Sequence, residues 1–212
     1  VALAFFFSSN LIVGRRILRA LLLMPWAIPI LLSVPTWRTM FAPAPGGIVT
    51  STVAPWMNIY TREWDAFLLY NIVEMWLAYP FVMTVTMGAI AGIPKELIES
   101  AYIDGAGTWT RFRRILLPLT IRPIAFAAIM TTGASIQAFM IPLLINNGSP
   151  YGSIELFGMS GTGYRNDVLL LYAYKQAYWY REYGLSAAAY LLAVVIILIY
   201  AIAWYKIFYK RG

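Results

Sequence analysis

Residues 184–208 (GLSAAAYLLAVVIILIYAIAWYKIF) form an almost uninterrupted apolar run with one charged side chain, Lys206, near its end. A bilayer's hydrocarbon core, about 30 Å thick, takes roughly 20 mainly apolar residues per helix. Inside it every backbone N–H and C=O must find a partner within the protein, so a chain with such a run is held to helices wherever it meets lipid. Four further segments read the same way. Residues 1–13 read as the tail of a span expected to begin upstream of Val1. Residues 17–41 form a second span, with Pro25, Pro29 and Pro35 inside it, and two more cover about 67–91 and 119–145. Prolines count against a straight soluble helix but are tolerated in membranes where neighbours satisfy the freed carbonyls. Composition agrees, with 61% hydrophobic and 12% charged residues, against about 45–50% and 25% in soluble domains. The expected fold is an all-α polytopic membrane helical bundle, with residues 1–212 forming one transmembrane domain.

The chain has no cysteine and no histidine. That removes disulfides, thiolate metal sites, the commonest metal ligand and the commonest general base. No catalytic or metal site is expected. The formal charge of +7 would suit a nucleic-acid partner in a soluble protein, but here the positions of the charges matter more. Arg15, Arg16 and Arg19, then Lys95, Arg111, Arg113, Arg114 and Arg122, then Lys206, Lys210 and Arg211 fall on one alternating set of loops. The other set holds Arg38, Arg62, Arg165, Lys175 and Arg181, offset by Glu63, Asp65, Glu155, Asp167 and Glu182. The positive-inside rule puts the first set in the cytoplasm, so the excess charge reports orientation and no nucleic-acid partner is expected. Segments 42–66 and 146–183 are then the outer loops. The second begins with turn chemistry (NNGSPYGS) and continues into a short helix from Tyr172 to Tyr180, capped by Asn166 or Asp167.

Residues 94–118 (PKELIESAYIDGAGTWTRFRRILLP) are polar between two greasy spans. Pro94 suits a first helical position, and Gly105 suits the left-handed residue that ends such a helix. Thr108 can cap a second helix that runs through Phe112, Ile115 and Leu116 until Pro118 opens the next span. Two readings are open: an ordinary connector, or a functional element, since connections of this length with helices of their own are usually functional.

Glu99, Ala101, Gly105, Ile115, Leu117 and Pro118 resemble the E-A-A, Gly, I-x-L-P spacing of permease subunits of ABC-type importers, with Ser100 at the second alanine. Asp104, Ala106 and Phe112 narrow the likeness to the carbohydrate-type branch. The resemblance extends over nearly the whole chain and is nearest to the maltose/trehalose-type large permease subunit, in which NNGSP matches an N-G-G-P turn. It implies the type-I importer fold and makes 94–118 a coupling segment. It also implies a second permease chain, two ATP-binding subunits that hold the ATP and magnesium, and an extracytoplasmic solute-binding protein. This chain would bind no cofactor itself, and the assembly would sit in the cytoplasmic membrane of a prokaryote and carry a sugar. Position by position, the same likeness carries a sugar pocket onto Glu74, Leu77, Ala78 and Phe81 of the third span and Thr131, Ala134, Ser135 and Ala138 of the fourth. Glu74, Ala134, Ser135 and Ala138 depart from the maltose pattern.

Glu74 stands out without any family. An acidic residue at the centre of a span costs roughly 2.5–3.5 kcal/mol on insertion scales unless it faces a cavity or a partner. Carboxylates hydrogen-bond sugar hydroxyls, so a carbohydrate path accounts for it. The structural alternative is placement near the outer headgroups, or pairing with Arg38. An ion-driven secondary transporter would want intramembrane ionisable pairs and an inverted repeat, and neither is apparent. No G-x-x-x-x-G-K-[ST] occurs, so energy from ATP would have to enter through another subunit.

Overall fold

The computed structural model describes residues 1–8, 14–156 and 159–209. Residues 9–13 of the first candidate span, and Lys210 and Arg211 among the orientation-setting basic residues, lie outside the described residues. The elements run α1 (Ala2–Ser8), α2 (Arg15–Ala27), α3 (Ile30–Met40), α4 (Ile48–Thr52), α5 (Glu63–Ala91), α6 (Lys95–Ile103) and α7 (Thr108–Arg111). A π-helical turn (Phe112–Leu116) follows, then α8 (Leu117–Ile136), α9 (Met140–Asn146), β1 (Tyr151–Leu156), β2 (Met159–Tyr164), α10 (Leu169–Tyr178) and α11 (Tyr183–Tyr209). Among the described residues three helices are long and apolar enough to cross a membrane: Glu63–Ala91, Thr108–Ile136 and Tyr183–Ile207.

Prolines decide where this differs from the expected spans. A proline inside a helix lacks the N–H for the i−4 carbonyl and its ring collides with that carbonyl, at a cost of about 3 kcal/mol or more. The span expected at 17–41 is broken at Ile28–Pro29 into α2 and α3, with Pro29 extended (φ −55°, ψ 137°) at the start of α3. The span expected at 119–145 is also two helices, interrupted at 137–139. Pro142 sits in the first turn of α9, where no N–H is needed. An unbroken helix would have driven its ring against the carbonyl of Ala138, which lies in the interruption. Pro118 was expected to open a new helix, yet the helix passes through it. The wide turn before it absorbs the problem, with Leu117 N–H donating five residues back to Phe112 O.

The chain divides into two compact units. The first comprises residues 1–27 and 77–132. Its interior is made by Ala4, Met83, Thr86, Thr120 and Ala127, all essentially buried. The two threonines return their hydroxyls to their own helices, at Val82 O (2.7 Å) and Leu116 O (2.7 Å). Tyr79 donates its hydroxyl to Leu22 O at 2.6 Å, in the turn of α2 that Pro25 disturbs. Phe112 meets Phe5 edge-on at 4.8 Å and stacks on Trp109 at 5.4 Å, which fixes α1 against the wide turn.

The second unit comprises residues 28–76 and 133–212. Here α3 packs on α9, and α10 on α11. Small residues are buried on both helices, Ala173 on α10 and Ser186, Ala189 and Ala193 on α11, and Ser186 donates to Ala173 O at 2.8 Å. Small side chains and interhelical hydrogen bonds of this kind let membrane helices approach closely. Leu191, Leu192, Ile199 and Ile202 on α11 are exposed, as suits a helix facing lipid. Segment 146–183 holds an element the sequence did not suggest, the antiparallel hairpin β1–β2 in register Tyr151↔Tyr164 to Leu156↔Met159. Helix α10 is capped by Val168, not by Asn166 or Asp167, with no side-chain cap bond. Those two side chains are used elsewhere.

Asn147 (φ 56°) and Gly148 (φ 78°) turn the chain out of α9 in the left-handed region. A Cβ on Gly148 would collide with Asp167 Oδ1, whereas Gly105 (φ 72°) has open space around it. Gly105→Ala should therefore cost only the left-handed penalty of roughly 1–2 kcal/mol. Gly148→Ala should cost clearly more, read as a larger fall in thermal midpoint for the purified protein in detergent.

Candidate functional site

In the second unit a cavity of about 330 Å³ opens beside the interruption between α8 and α9. It owes its shape to that interruption. The last turn of α8 tightens, with Gln137 N–H on Ala134 O (3.0 Å) and Ala138 N–H on Ser135 O (3.1 Å). Irregular backbone at membrane depth is tolerated where it lines a cavity. Across the cavity Ser135 Oγ donates to the Glu74 carboxylate at 2.8 Å. Tyr70, Asn71 and Glu74 line it from α5, and Ser135 and Ala138 from the interrupted stretch. Asn71 lies three residues before Glu74 and so shares its helical face.

The structure brings Glu74, Ser135 and Ala138 to one cavity. Ala134 is exposed and does not line the cavity. Leu77, Ala78, Phe81 and Thr131 belong to the first unit and do not line it either. Phe81 lies beside Trp26 at 6.2 Å, and Thr131 donates to Ala127 O on its own helix at 2.8 Å. The alternative partner for Glu74 is otherwise engaged, since Arg38 Nε donates to Tyr60 OH at 3.1 Å.

The outer wall, Arg165, Asn166 and Asp167, was not anticipated as part of a site. Arg165 pairs with Glu63 at 3.2 Å, and Asn166 Nδ2 donates to Ser149 O (2.8 Å) and Glu63 O (3.1 Å). Asp167 accepts from Lys175 Nζ at 2.6 Å, and the same ammonium donates to Asn147 O at 2.7 Å and lies 3.5 Å from the Tyr164 ring centroid. The Lys175 side chain is only 2% exposed. Burial holds its ammonium below the ordinary lysine range and lifts the Asp167 carboxyl above its own, while the hydrogen bond between them opposes both shifts. Asn146 extends the network inward, accepting from Tyr70 OH and donating to Ile59 O. A buried lysine eight residues after an aspartate, with an Asn-Asn-Gly turn upstream, was the available signal, but the sequence did not place them side by side.

The first unit carries the segment 94–118. Helix α6 ends in a Schellman turn, with Ala106 N–H on Ala101 O (2.9 Å) and Gly105 N–H on Tyr102 O (3.1 Å). Asp104 is the C-cap, and Gly105 takes the left-handed conformation expected of it. Helix α7 is capped by Gly107, not Thr108. The Arg111 guanidinium lies 3.6 Å from the Tyr102 ring centroid and donates to Thr108 Oγ1 at 3.3 Å, clasping α6 to α7. Glu99, Ser100, Asp104, Gly105 and Pro118 are exposed, while Ala106, Phe112, Ile115 and Leu117 are half-buried. Ala101 is only 6% exposed, so this motif position is taken up by the unit's own packing. The exposed apolar groups are instead Leu97, Tyr102, Ile103 and Trp109.

Three helices long and apolar enough to cross a membrane, two interrupted helices and a cavity with polar side chains in its largely apolar wall mark a membrane-integral protein. Residues 1–211 match the family described as binding-protein-dependent transport system inner membrane component. The chain belongs to that family. Among its relatives, the trehalose/maltose transport system permease protein MalF of Thermococcus litoralis is 28% identical over 92% of this chain and 62% of its own length. The maltodextrin transport system permease protein MalC of Streptococcus pneumoniae is 30% identical over 94% of this chain and 48% of its own. The chain therefore spans about half to two thirds of the length of these relatives. A crystal structure of a bacterial alginate ABC transporter, in complex with its alginate pentasaccharide-bound periplasmic protein, superposes with a TM-score of 0.76 at 21% identity, over 96% of this chain and 68% of that one. The fold is that of an ABC importer permease.

Replacing Lys175 by Met would leave the Asp167 carboxylate buried without its cation, a change worth about 3–5 kcal/mol for buried pairs. Thermal unfolding in detergent should show that loss for Lys175→Met, with part of it recovered in the Asp167→Asn/Lys175→Met double variant.

Proposed function

We propose that this chain is the transmembrane permease subunit of an ATP-driven importer that moves a sugar into the cytoplasm by alternating access. The observation that carries the reading is the Glu74–Ser135 hydrogen bond in a cavity beside an interrupted helix. A carboxylate is costly among apolar spans, and here it faces open space with hydroxyl and amide groups close by. That chemistry suits a polyhydroxylated solute. The names of the relatives point to α-glucosides of the maltose and trehalose kind as the substrate class. Glu74, Ser135 and Ala138 would contact the sugar directly. Leu77, Ala78, Phe81, Thr131 and Ala134 are kept as further pocket positions from the family likeness.

The partners follow from the same reading. A second permease chain, two ATP-binding subunits holding ATP and magnesium, and an extracytoplasmic solute-binding protein would complete the importer in a prokaryotic cytoplasmic membrane. The loaded binding protein would dock on the outer segments 42–66 and 146–183. ATP hydrolysis would belong to the separate ATP-binding subunits. ATP-driven closure in the partner subunits would be felt at 94–118, through Glu99, Ser100, Ala101, Asp104, Gly105, Ala106, Phe112, Ile115, Leu117 and Pro118. Exposed Leu97, Tyr102 and Ile103 supply the apolar contact area, and the Arg111–Tyr102 clasp lets α6 and α7 move together.

Gly105→Pro removes the left-handed turn, because proline is confined to negative φ. In proteoliposomes holding the assembled importer, this variant should retain ATP binding by the partner subunits and lose ATP-coupled sugar uptake by an order of magnitude or more. Wild-type uptake with normal assembly would refute the coupling role. Ser135→Ala, which removes one hydrogen bond worth about 0.5–1.5 kcal/mol, should weaken sugar affinity several-fold and leave basal ATP hydrolysis alone.

A further inference from the structure

The fold does not fix the charge of the solute, since the superposed transporter belongs to a system that imports the acidic polysaccharide alginate. The side chains around the cavity do bear on it. Three acidic or basic side chains line it: Glu74, Arg165 and Asp167. Arg165 is matched by Glu63 at 3.2 Å, and Asp167 by Lys175 at 2.6 Å. Glu74 forms no ion pair among the described residues, and the partner seen for it is the neutral hydroxyl of Ser135. With its other charges compensated, the cavity is left with one unmatched acidic side chain in its wall.

We propose that Glu74 is the specificity-determining residue of this pocket, a charge filter that admits neutral and ammonium-bearing sugars and rejects uronates. This inference rests on the pocket assigned under the proposed function. A carboxylate of the solute brought against Glu74 would place two like charges close together in a partly desolvated site, where the one cation among the described lining residues, Arg165, is already paired with Glu63. Attraction and repulsion there are both much stronger than in water. Rejection by an unmatched like charge is a general route to selectivity. Neutral sugars meet no such penalty and can donate hydroxyls to the carboxylate. An amino sugar would gain a charge-assisted hydrogen bond as well. The cation set is what makes the filter one-sided: Arg165 and Lys175 are tied into the outer wall and held by their own acids.

The test is equilibrium binding, by calorimetry, of maltose, a glucosamine disaccharide and a glucuronate disaccharide. The protein is the complete detergent-solubilised transporter with the solute-binding protein omitted, so that only the membrane pocket selects. Wild type should bind the glucosamine sugar at least about tenfold more tightly than the glucuronate sugar, and raised salt should compress that ratio. Glu74→Gln, which keeps a hydrogen-bond acceptor for Ser135, should bring the ratio to within about threefold of unity. Ser135→Ala should weaken all three sugars and preserve the ratio. If maltose binds but the wild-type ratio is near unity, insensitive to salt, or unchanged in Glu74→Gln, the filter is refuted while the pocket stands. If none of the three sugars binds wild type, the pocket reading fails, and the filter with it.

Discussion

A single ammonium group organises the outer part of the second unit. Lys175 projects from α10 and reaches the carbonyl of Asn147, the carboxylate of Asp167 and the face of Tyr164 within one contact sphere. Those groups belong to the turn after α9, the link before α10 and the last residue of β2. The lysine ties these segments together through polar contacts, beside the buried apolar Ile145 and Leu171. Burying a charge is costly unless geometry and hydrogen bonds compensate, and three partners within bonding distance supply that compensation. The lysine's three partners come from different segments, so one charge joins the turn, the strand end and the link before α10 to the helix. Asp167 then forms part of the cavity wall, so the pocket's outer boundary inherits its position from this one residue.

Prolines organise the membrane part by a different physical route. Each forbids one hydrogen bond and one backbone path, and the chain answers in three ways. At Pro29 and Pro142 it stops and restarts the helix. At Pro118 it widens one turn and continues. At Pro80 and Pro123 it carries the proline within a helix long enough to tolerate it. The restart at Pro142 has the greatest consequence for the site, since it places Ser135 and Ala138 at a helix end, where backbone and side chain are open to a cavity instead of a neighbouring turn.

How much of this was legible beforehand depended on whether the determining physics was local. Gly105 was readable because a left-handed helix end needs a glycine within a few residues, and the Schellman turn is where the spacing put it. Glu74 was readable because one acid in an apolar run has few explanations. The pairing of Glu74 with Ser135 was reachable only through the family likeness, since the two are sixty-one residues apart. The helix break at 137–139 was legible in principle, from Pro142 and its i−4 carbonyl, but the apolar pattern runs through it and masks the stop. The hairpin was not readable. Gly152, Ser153, Gly161 and Gly163 have poor strand propensity, and what holds the strands, such as the Tyr151–Tyr164 ring pair at 5.1 Å, is a contact between distant residues. Asn166 and Asp167 look like helix caps because their side chains favour that role, but the turn after α9, Glu63 and Lys175 compete for them and win.

The wide turn at Phe112–Leu116 has a rotational consequence. In an α-helix each residue advances the direction of its side chain by about 100°, and one extra residue accommodated in a single turn resets that phase for everything downstream. The rod from Thr108 to Ile136 is continuous in its hydrogen bonding but not in its angular bookkeeping. Trp109, before the reset, stands exposed, while Thr120 and Ala127, after it, share a buried face. The two ends of one helix can thus be aimed independently, like two gears keyed at different angles on a common shaft.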